Sequence, residues 1–339
     1  MEIRVSFEEL LDTLQAAMLR LGFAPERARL CARLFAETTR DGVYSHGLNR
    51  FPRFLETIRN GSMDVKAEAA KVGGAGALER WSGNRGAGNL SAYACMGRAI
   101  ELAKVHGLGC VALRDTNHWM RAGTYGWQAA DAGVIGMCWT NTMPNLVPWG
   151  GVERGIGNNP IVMAVPRPAS GAHVVLDMAV SQYSFGAIAG YIARGEQLPH
   201  DGGYDAAGNI TRDPKEIEDS QGGLPIGYWK GSGLSVLLDL TAAILAAGRA
   251  THQLSTDVMK ETGQSQVFVA FDVNCFGDAA AAERMADEVI EALHTVKGKD
   301  GRPPRYPGEQ TLKLRAENMK LGVPVVEERW KELVAVAKG

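Results

Sequence analysis

The chain has 339 residues, is 45% hydrophobic, and carries 36 lysines and arginines against 38 aspartates and glutamates. This length and composition provide enough apolar material for a large core, in one domain or in two intertwined ones. The formal net charge is -2 and the charges are interleaved, which excludes the broad cationic field that attracts nucleic acid or an anionic membrane. We therefore expect neither nucleic acid nor a membrane as a partner.

The cysteine pattern indicates a reducing compartment. The five cysteines are odd in number, far apart and without Cys-x-x-Cys spacing (Cys31, Cys95, Cys110, Cys138 and Cys275). Free thiols fit this pattern better than disulfides or a zinc site, so no metal is predicted. The N-terminus lacks an apolar signal core, and the most apolar predicted helix, at about 233–247, contains Asp239 and is too short to span a bilayer. These features predict a cytoplasmic protein.

The first predicted elements are two helices. Ser6 followed by Glu9 forms a capping-box pair, and apolar residues then recur at helical spacing as far as Leu21. Pro25 suits the first turn of a second helix, which runs to about Thr39 and ends at the Asp-Gly pair that follows. The segment that contains His46 comes next. His46 is therefore expected near a junction between helices.

Short alternating elements are predicted in the middle of the chain. A glycine-rich stretch at 73–88 predicts a loop or tight hairpin ahead of a helix at about 90–106. Then follow, in order, a strand at 110–113, a helix at 124–132, and strands at 134–139, 160–165 and 174–178. The last two strands have no helix between them. This order predicts an α/β fold whose mixed, partly antiparallel sheet has flanking helices.

The remaining part of the chain begins with an irregular stretch. Residues 199–225 are rich in Gly, Asp and Pro, and their number predicts a long surface excursion that serves as a lid or substrate loop. After it we predict an apolar helix from Gly233, a strand at 266–273, an amphipathic helix at about 279–296, a loop around 303–308 and two short closing helices.

The glycine motifs do not by themselves indicate a dinucleotide. No Gly-x-Gly-x-x-Gly follows a predicted strand and opens a helix, and no Gly-Lys-Ser/Thr phosphate loop is present. The nearest match, Gly86-x-Gly88-x-x-Ser91, lacks the third glycine. A nicotinamide cofactor therefore does not follow from these motifs.

His46 is the first candidate acid/base. Ser45 precedes it, and Arg50 and Arg53 follow within two helical turns. A histidine titrates near neutrality and can protonate a carbonyl oxygen, while the planar fork of an arginine matches a carboxylate. This combination suits a 2-oxo acid. A surface histidine with solvated arginines fits the same residues equally well.

Two further polar residues stand in positions typical of a site. His118 follows the strand at 110–113, where α/β proteins often place functional loops, although a structural histidine buried against Trp119 is the alternative. Asp177 lies in the apolar strand at 174–178, and a carboxylate there needs a partner such as histidine or arginine. Pairing with His46 would raise the basicity of that imidazole.

Turn sequences supply candidate phosphate contacts. The segment from Trp229 and Lys230 to Gly233 precedes the predicted apolar helix, so helix amides, the helix dipole and the lysine charge together suit a pyrophosphate. A glycine-rich turn with a solvated lysine is the alternative. The turns at 158–160 and 307–310 either line a site or only reverse the chain.

Six segments, in this order and spacing over nearly the whole chain, resemble the malate/L-lactate dehydrogenase family, which lacks a Rossmann fold: Tyr44–Phe51, Asn117-His118, Gly157–Pro160, Leu176–Met178, Trp229–Gly233 and Pro307–Glu309. The resemblance implies a homodimeric enzyme whose cofactor lies on a non-Rossmann mixed sheet. That fold would explain why the glycine fingerprint is missing. It further implies three regions, namely N-terminal helices that carry the acid/base histidine, a mixed-sheet core for cofactor and substrate, and C-terminal helices that pack back on the first region (1–65, 66–310 and 311–339).

The resemblance also implies a reaction and its residues. NADH would reduce 2,3-dioxo-L-gulonate to 3-dehydro-L-gulonate, with His46 as proton donor, Arg50 on the C1 carboxylate and Asp177 orienting His46. Ser45 and His118 would join Arg50 around the substrate. NAD is the implied cofactor, with NADPH as the alternative. The implied cofactor-binding residues are Leu176, Asp177, Met178, Ala179, Val180, Ser181, Gln182, Trp229, Lys230, Gly308, Glu309 and Gln310.

Other functions remain open at this point. Within the same family, a malate, lactate or ureidoglycolate dehydrogenase, or a cyclic imine reductase, would need the same carboxylate anchor. A metal-dependent hydrolase that uses His46, His118 and Asp177 is an alternative of a different class. A non-catalytic ligand-binding protein is a third.

Overall fold

The computed structural model describes residues 1–277 and 279–339. Its helices are α1 Phe7–Arg20, α2 Pro25–Arg40, α3 Phe51–Arg59, α4 Gly88–His106, α5 Gly123–Asp131, α6 Phe185–Arg194, α7 Pro214–Ser220, α8 Trp229–Ala246, α9 Ala279–Thr295, α10 Glu309–Leu321 and α11 Glu327–Lys338. Its strands are β1 Glu2–Val5, β2 Ala70–Ala75, β3 Leu78–Ser82, β4 Leu108–Asn117, β5 Ile135–Thr140, β6 Ile161–Val165, β7 Val174–Met178, β8 Gly203–Tyr204, β9 Ile210–Thr211, β10 Gly222–Gly223, β11 Thr262–Phe271 and β12 Val323–Val326.

The central sheet has seven strands in the order β2-β3-β4-β11-β5-β6-β7. Strands β3 and β4 are parallel because the long helix α4 connects them as a crossover, and the other neighbouring pairs described in this sheet are antiparallel. The predicted α/β class with a mixed, partly antiparallel sheet is confirmed. The glycine-rich stretch forms the β2–β3 hairpin.

Helices cover both faces of this sheet. On β11, Phe268 and Ala270 point to the face under α4 and α5, whereas Val267 and Val269 point to the face under α8. Phe268 is fully buried and its ring contacts those of Trp119 and Tyr125. The side-chain alternation of a strand thus gives the protein two apolar layers, and the functional cavity lies at the end of the first layer.

A second core joins the two ends of the chain. Helix α1 begins where the sequence predicts, with the Ser6 hydroxyl accepting a hydrogen bond from the backbone N–H of Glu9 at 3.0 Å. Large apolar side chains from the first three helices fill this core, and Trp330 of α11 packs against it. Strand β12, which was not predicted, pairs with β1 in antiparallel register. The three-region division of the chain remains a proposal.

The excursion at 199–225 is folded and is not a bare loop. It contains the small antiparallel sheet β10-β8-β9 and the helix α7. Ile217 of α7 and Leu198 bury their side chains against Ile188 of α6, which explains why this polar and glycine-rich stretch holds a fixed conformation. Its role as a lid or substrate loop remains a proposal.

Helix α8 begins at Trp229, four residues before the predicted start at Gly233. It has 18 residues with a mean hydropathy of 1.2, so by length and composition alone it could cross a membrane, and 28% of it is buried. Leu238, Ala242 and Ala246 pack on the central sheet. The carboxylate of Asp239 accepts hydrogen bonds from Asn141 and from the backbone of Thr251. One face of α8 is therefore a core face, and the opposite face is exposed.

The buried carboxylate of Asp41, at the end of α2, binds three guanidinium groups. Arg121 and Arg315 each lie 2.7 Å from Oδ2, and Arg40 lies 2.9 Å from Oδ1. Burial raises the pKa of Asp41, but the hydrogen bonds from Arg315 and the charges of Arg121 and Arg40 outweigh it and lower the pKa to about 2. This carboxylate holds together the end of α2, the start of α5 and the side of α10.

We expect Asp41→Asn to lower the free energy of unfolding by about 3 to 5 kcal/mol, because it leaves buried guanidinium groups without their counter-ion. The stabilisation should be present above about pH 4 and fall as the pH drops toward the folded-state pKa of about 2, since that pKa lies below its ordinary value. Urea unfolding followed by circular dichroism at several pH values measures both effects. The matched control is Asp219→Asn, which removes an exposed ion pair with Lys215 and should change little. Equal effects of the two variants would contradict the assignment.

Candidate active site

A cavity of about 740 Å³ lies where the N-terminal helices, the end of the central sheet and the excursion at 199–225 meet. This volume is within the range of small-molecule sites. Several residues that the sequence analysis singled out line it together, although they are far apart in the chain: Ser45, His46, Arg50, His118, Asp177 and Gly308.

Two histidine rings stack inside the cavity. His46 is on a short helical turn after α2, and Ser45 Oγ lies 2.9 Å from its Nδ1. The ring of His118 lies 5.7 Å away, centroid to centroid, at an interplanar angle of 23°. The backbone N–H of Met120 donates to Nδ1 of His118 at 3.0 Å. A neutral His118 must therefore carry its proton on Nε2, where it can donate to a ligand.

Both imidazoles are surrounded by positive charge. Burial lowers the pKa of His46 to about 4, and the cations of Arg50, Arg121 and Arg53 act in the same direction. The pKa of His118 is also lowered well below its ordinary value, first by burial and then by Arg50 and His46. At neutral pH both rings are therefore neutral, and His46 is able to accept a proton.

Arg50 and Arg53 share one carboxylate. Their Nη2 atoms lie 3.3 and 2.7 Å from Oε2 of Glu261, a residue that directly precedes β11. Burial and the neighbouring cation lower the pKa of Arg50 to about 10, although Glu261 opposes this shift, so the group stays charged at neutral pH. Two cations against one anion leave a net positive charge at this end of the cavity, which suits a ligand carboxylate.

The sequence analysis predicted that Asp177 pairs with His46, but in the structure its partners are Gly123 and Arg121. Its Oδ2 accepts a hydrogen bond from the backbone N–H of Gly123 at 2.9 Å and lies 3.7 Å from Nε of Arg121. A Cβ at position 123 would lie 2.5 Å from that oxygen, so the contact requires glycine. Burial raises the pKa of Asp177, and Arg121 offsets part of that shift. The buried guanidinium of Arg121, just before α5, is therefore the charged partner of Asp177. His46 has Ser45 as its hydrogen-bond partner.

The implied cofactor residues divide into two groups. Five of them line the cavity, namely Leu176, Asp177, Ala179, Ser181 and Gly308. Gly308 has a φ of +97°, and a Cβ there would lie 3.2 Å from the backbone nitrogen of Val175. Glycine thus keeps this wall open. The others are not among the lining residues: Met178, Val180, Gln182, Trp229, Lys230, Glu309 and Gln310.

Three residues of the second group have contacts elsewhere in the fold. Val180 is buried under α8, with its backbone bonded to Asn158 and Ile226. Lys313 binds the carboxylate of Glu309, and Arg305 donates to the side chain of Gln310. The start of α6, at residues 184–186, also lines the cavity.

The sequence analysis did not assign site roles to several lining residues. Arg121 links Asp41 to Asp177, and Glu261 orients the two anchor arginines. Gln264 and Gln266 lie in the polar first half of β11, directly before the apolar run that begins at Val267, and that contrast was a usable signal. For Arg121, three residues after His118, no sequence pattern indicated that its partners are Asp41 and Asp177.

The profile of the malate/L-lactate dehydrogenase family matches residues 5–334. Two bacterial proteins named 2,3-diketo-L-gulonate reductase, from Citrobacter koseri and Escherichia fergusonii, are each 42% identical over 335 residues, which is 98% of this chain and 100% of theirs.

Solved structures of similar fold carry related names. Malate dehydrogenase from Pyrococcus horikoshii is 28% identical with a TM-score of 0.89, covering 99% of this chain and 95% of its own. Sulfolactate dehydrogenase from Methanocaldococcus jannaschii is 26% identical with a TM-score of 0.91, covering 99% and 97%. Delta1-piperideine-2-carboxylate reductase from Pseudomonas syringae is 28% identical with a TM-score of 0.88, covering 98% and 99%. The predicted family is confirmed: the chain belongs to the malate/L-lactate dehydrogenase family and is a nicotinamide-dependent oxidoreductase.

Proposed function

We propose that this enzyme reduces 2,3-dioxo-L-gulonate to 3-dehydro-L-gulonate with NADH, and catalyses the reverse oxidation. The observation that carries the proposal is the cavity in which the imidazole of His46 faces the paired guanidinium groups of Arg50 and Arg53. A carboxylate anchor beside an acid/base is what a 2-oxo acid requires. The relatives named 2,3-diketo-L-gulonate reductase support the choice of substrate.

Arg50 holds the C1 carboxylate in this proposal, and the C2 carbonyl faces His46. His118 donates from Nε2 to a substrate oxygen, because its Nδ1 is already occupied by the Met120 amide. Ser45 orients the His46 ring through Nδ1, which leaves Nε2 of His46 for the substrate. Asp177 is a positioning residue in this proposal, because it binds the Arg121 side chain and the backbone N–H of Gly123 at the start of α5.

The nicotinamide, when bound, supplies the hydride that adds to C2. His46 supplies the proton that the C2 oxygen gains, so the alkoxide becomes a hydroxyl and the imidazole becomes neutral. Burial, together with the cations of Arg50, Arg121 and Arg53, lowers the pKa of His46 and keeps it unprotonated at neutral pH. A substrate carboxylate offsets these charges, so His46 takes up its proton as the anionic substrate binds.

The cavity fits a dinucleotide on two grounds. Its volume is within the range of small-molecule sites, and its lining combines Ala179 and Ser181 with the unobstructed Gly308 and residues 184–186 at the start of α6. We propose Leu176, Asp177, Ala179, Ser181 and Gly308 as the cofactor contacts. NAD is proposed over NADP, and comparing NADH with NADPH oxidation decides between them.

We expect His46→Ala to lower kcat by about a hundredfold to ten-thousandfold, because the general acid is lost. NADH affinity, measured by fluorescence titration, should stay within a fewfold of wild type. The matched control is His252→Ala, which removes an exposed histidine outside the cavity and should leave turnover unchanged. Unchanged turnover in His46→Ala would remove His46 from the mechanism.

The pH dependence provides a second test. A His46 pKa lowered to about 4 means that the protonated fraction, and with it kcat/KM for reduction, falls about tenfold per unit as the pH rises. Arg50→Gln removes the cation with the largest effect, so the apparent pKa should rise by roughly one unit. Arg53→Gln should raise it less. NADH oxidation between about pH 5 and 9 measures these profiles, and a wild-type break near an ordinary histidine pKa contradicts the model of charge around His46.

We also propose that the enzyme is a homodimer that uses the exposed face of α8. Leu237, Leu240 and Ile244 lie on one side of that helix at spacings of three and four residues and are 61%, 45% and 68% exposed. Trp229 and Lys230 lie at the N-terminal end of the same helix. A continuous apolar strip of this kind is typical of an interface.

The double variant Leu237→Glu, Ile244→Glu should sediment with half the mass of the wild-type protein, because two charges per chain would face each other in the dimer. Sedimentation velocity measures this. Leu19→Glu, at an exposed apolar position on α1, is the control and should keep the wild-type mass. A wild-type protein that sediments as a monomer at micromolar concentration would refute the dimer.

A panel of substrates separates the remaining alternatives. NADH oxidation with malate-type, lactate-type, ureidoglycolate-type and cyclic imine acids tests the other reactions of the family. Within residues 1–277 and 279–339, no group of three or more His, Cys, Asp or Glu side chains is placed to hold a metal ion, so the hydrolase alternative gains no support. We place the enzyme in the cytoplasm, supported by its five free cysteines.

A further inference from the structure

Two glutamines form part of the cavity floor. Gln264 and Gln266 of β11 line the cavity and are only 2% and 1% exposed. In the described part of the chain, neither side-chain amide atom of Gln266 has a hydrogen-bond partner, and Oε1 of Gln264 has none. Burying a polar group without a partner destabilises a fold, so such groups call for an explanation.

The register of the sheet locates these amides relative to the catalytic groups. Phe268, Cys138, Val162 and Asp177 lie opposite one another across four strands, so they share one face of the sheet. Gln266 is two residues from Phe268 on the same strand, and therefore lies on this face one row away from Asp177.

Gln264 extends the floor toward the carboxylate anchor. It stands between Gln266 and Glu261, the residue that binds Arg50 and Arg53. The pairing of β11 with β4 is irregular on both sides of Gln264. Because Gln264 and Gln266 are two residues apart on one strand, both side chains lie on the same face of the sheet and reach one cavity.

The chemistry of the floor differs from that of the anchor. An amide offers a donor and an acceptor without charge, which matches carbonyl and hydroxyl oxygens better than carboxylates. We propose that Gln264 and Gln266 bind the neutral oxygens beyond C2 of a polyhydroxy 2-oxo acid, and so select it over short apolar 2-oxo acids. The inference rests on the proposed function and names the residues that set its specificity.

Buried amides in the cavity would strongly favour substrates that carry hydroxyl groups over analogues that lack them. A site with buried polar groups rejects an analogue that cannot pair with them, because those groups then stay unpaired. Replacing Gln266 with leucine removes the unpaired amide while keeping a similar shape. The free protein should therefore lose no stability, whereas recognition of the substrate hydroxyls should weaken.

The test measures kcat/KM with NADH for 2,3-dioxo-L-gulonate and for 2-oxobutanoate, in wild type, Gln264→Leu and Gln266→Leu. We expect the ratio of the two values to fall by about tenfold to hundredfold, mainly through a higher KM for the sugar acid. If 2-oxobutanoate is not reduced, its inhibition constant replaces kcat/KM. The Tm of each free variant should equal or exceed that of wild type.

Gln128→Leu is the matched control. Gln128 is a glutamine of α5 outside the cavity lining, and its Nε2 donates to the backbone oxygen of Tyr93 at 3.0 Å. This variant should lower the Tm and leave the substrate ratio unchanged. A purely structural role of Gln266 would give the same pattern in Gln266→Leu, and that result would overturn the inference.

Two further outcomes are decisive. Equal losses on both substrates, or weaker NADH binding with an unchanged ratio, would assign the amides to another task and overturn the inference. Ligand-induced Tm shifts measure recognition of the sugar acid independently of whether the enzyme catalyses the proposed reaction. A shift by 3-dehydro-L-gulonate in wild type but not in Gln266→Leu supports amide recognition even where no hydride moves, and equal shifts overturn it.

Discussion

The buried carboxylate of Asp41 is the interaction on which the geometry of the site depends. Helix α2 ends at this residue, and the chain then turns directly into the segment that carries His46. Arg121 binds Asp41 on one side and approaches Asp177 on the other. His46 and the β7 wall of the cavity thus belong to separate layers of the fold but are positioned by one chain of ionic contacts. Because removing one partner of a buried ion pair exposes the others to uncompensated desolvation, this linkage is sensitive to a single substitution.

The same arrangement sets the electrostatics of the reaction. Cations stand around a pair of stacked imidazoles, and Arg50 and Arg53 share the single carboxylate of Glu261. An anionic substrate is therefore attracted before any proton has moved. Its carboxylate then offsets the part of the lowered His46 pKa that comes from these cations, while burial, the larger cause, remains. In the reaction proposed above, the neutral imidazole is already the base that the oxidation direction requires, so one environment would serve both directions.

Local patterns predicted the elements well and the partners poorly. The helical period after Ser6 and the apolar run at 174–178 specified α1 and β7, because capping and strand burial act over a few residues. Partner choice depends on distances between layers, and for that reason Asp177 was assigned to His46 and not to Arg121. The excursion at 199–225 was predicted as a loop because its few large buried side chains, Tyr204, Ile217 and Leu224, give no periodic signal.

The division between a charged anchor and a neutral floor bears on how one fold serves different acids. Malate, sulfolactate and piperideine-2-carboxylate, the compounds in the names of the similar structures, all carry a carboxylate. An arginine anchor recognises that group in each of them and so cannot distinguish one from another. Discrimination must come from groups that contact the rest of the molecule. In this chain the buried amides of Gln264 and Gln266 occupy that position, and their unpaired atoms make them sensitive to whether a substrate brings hydroxyl groups or not.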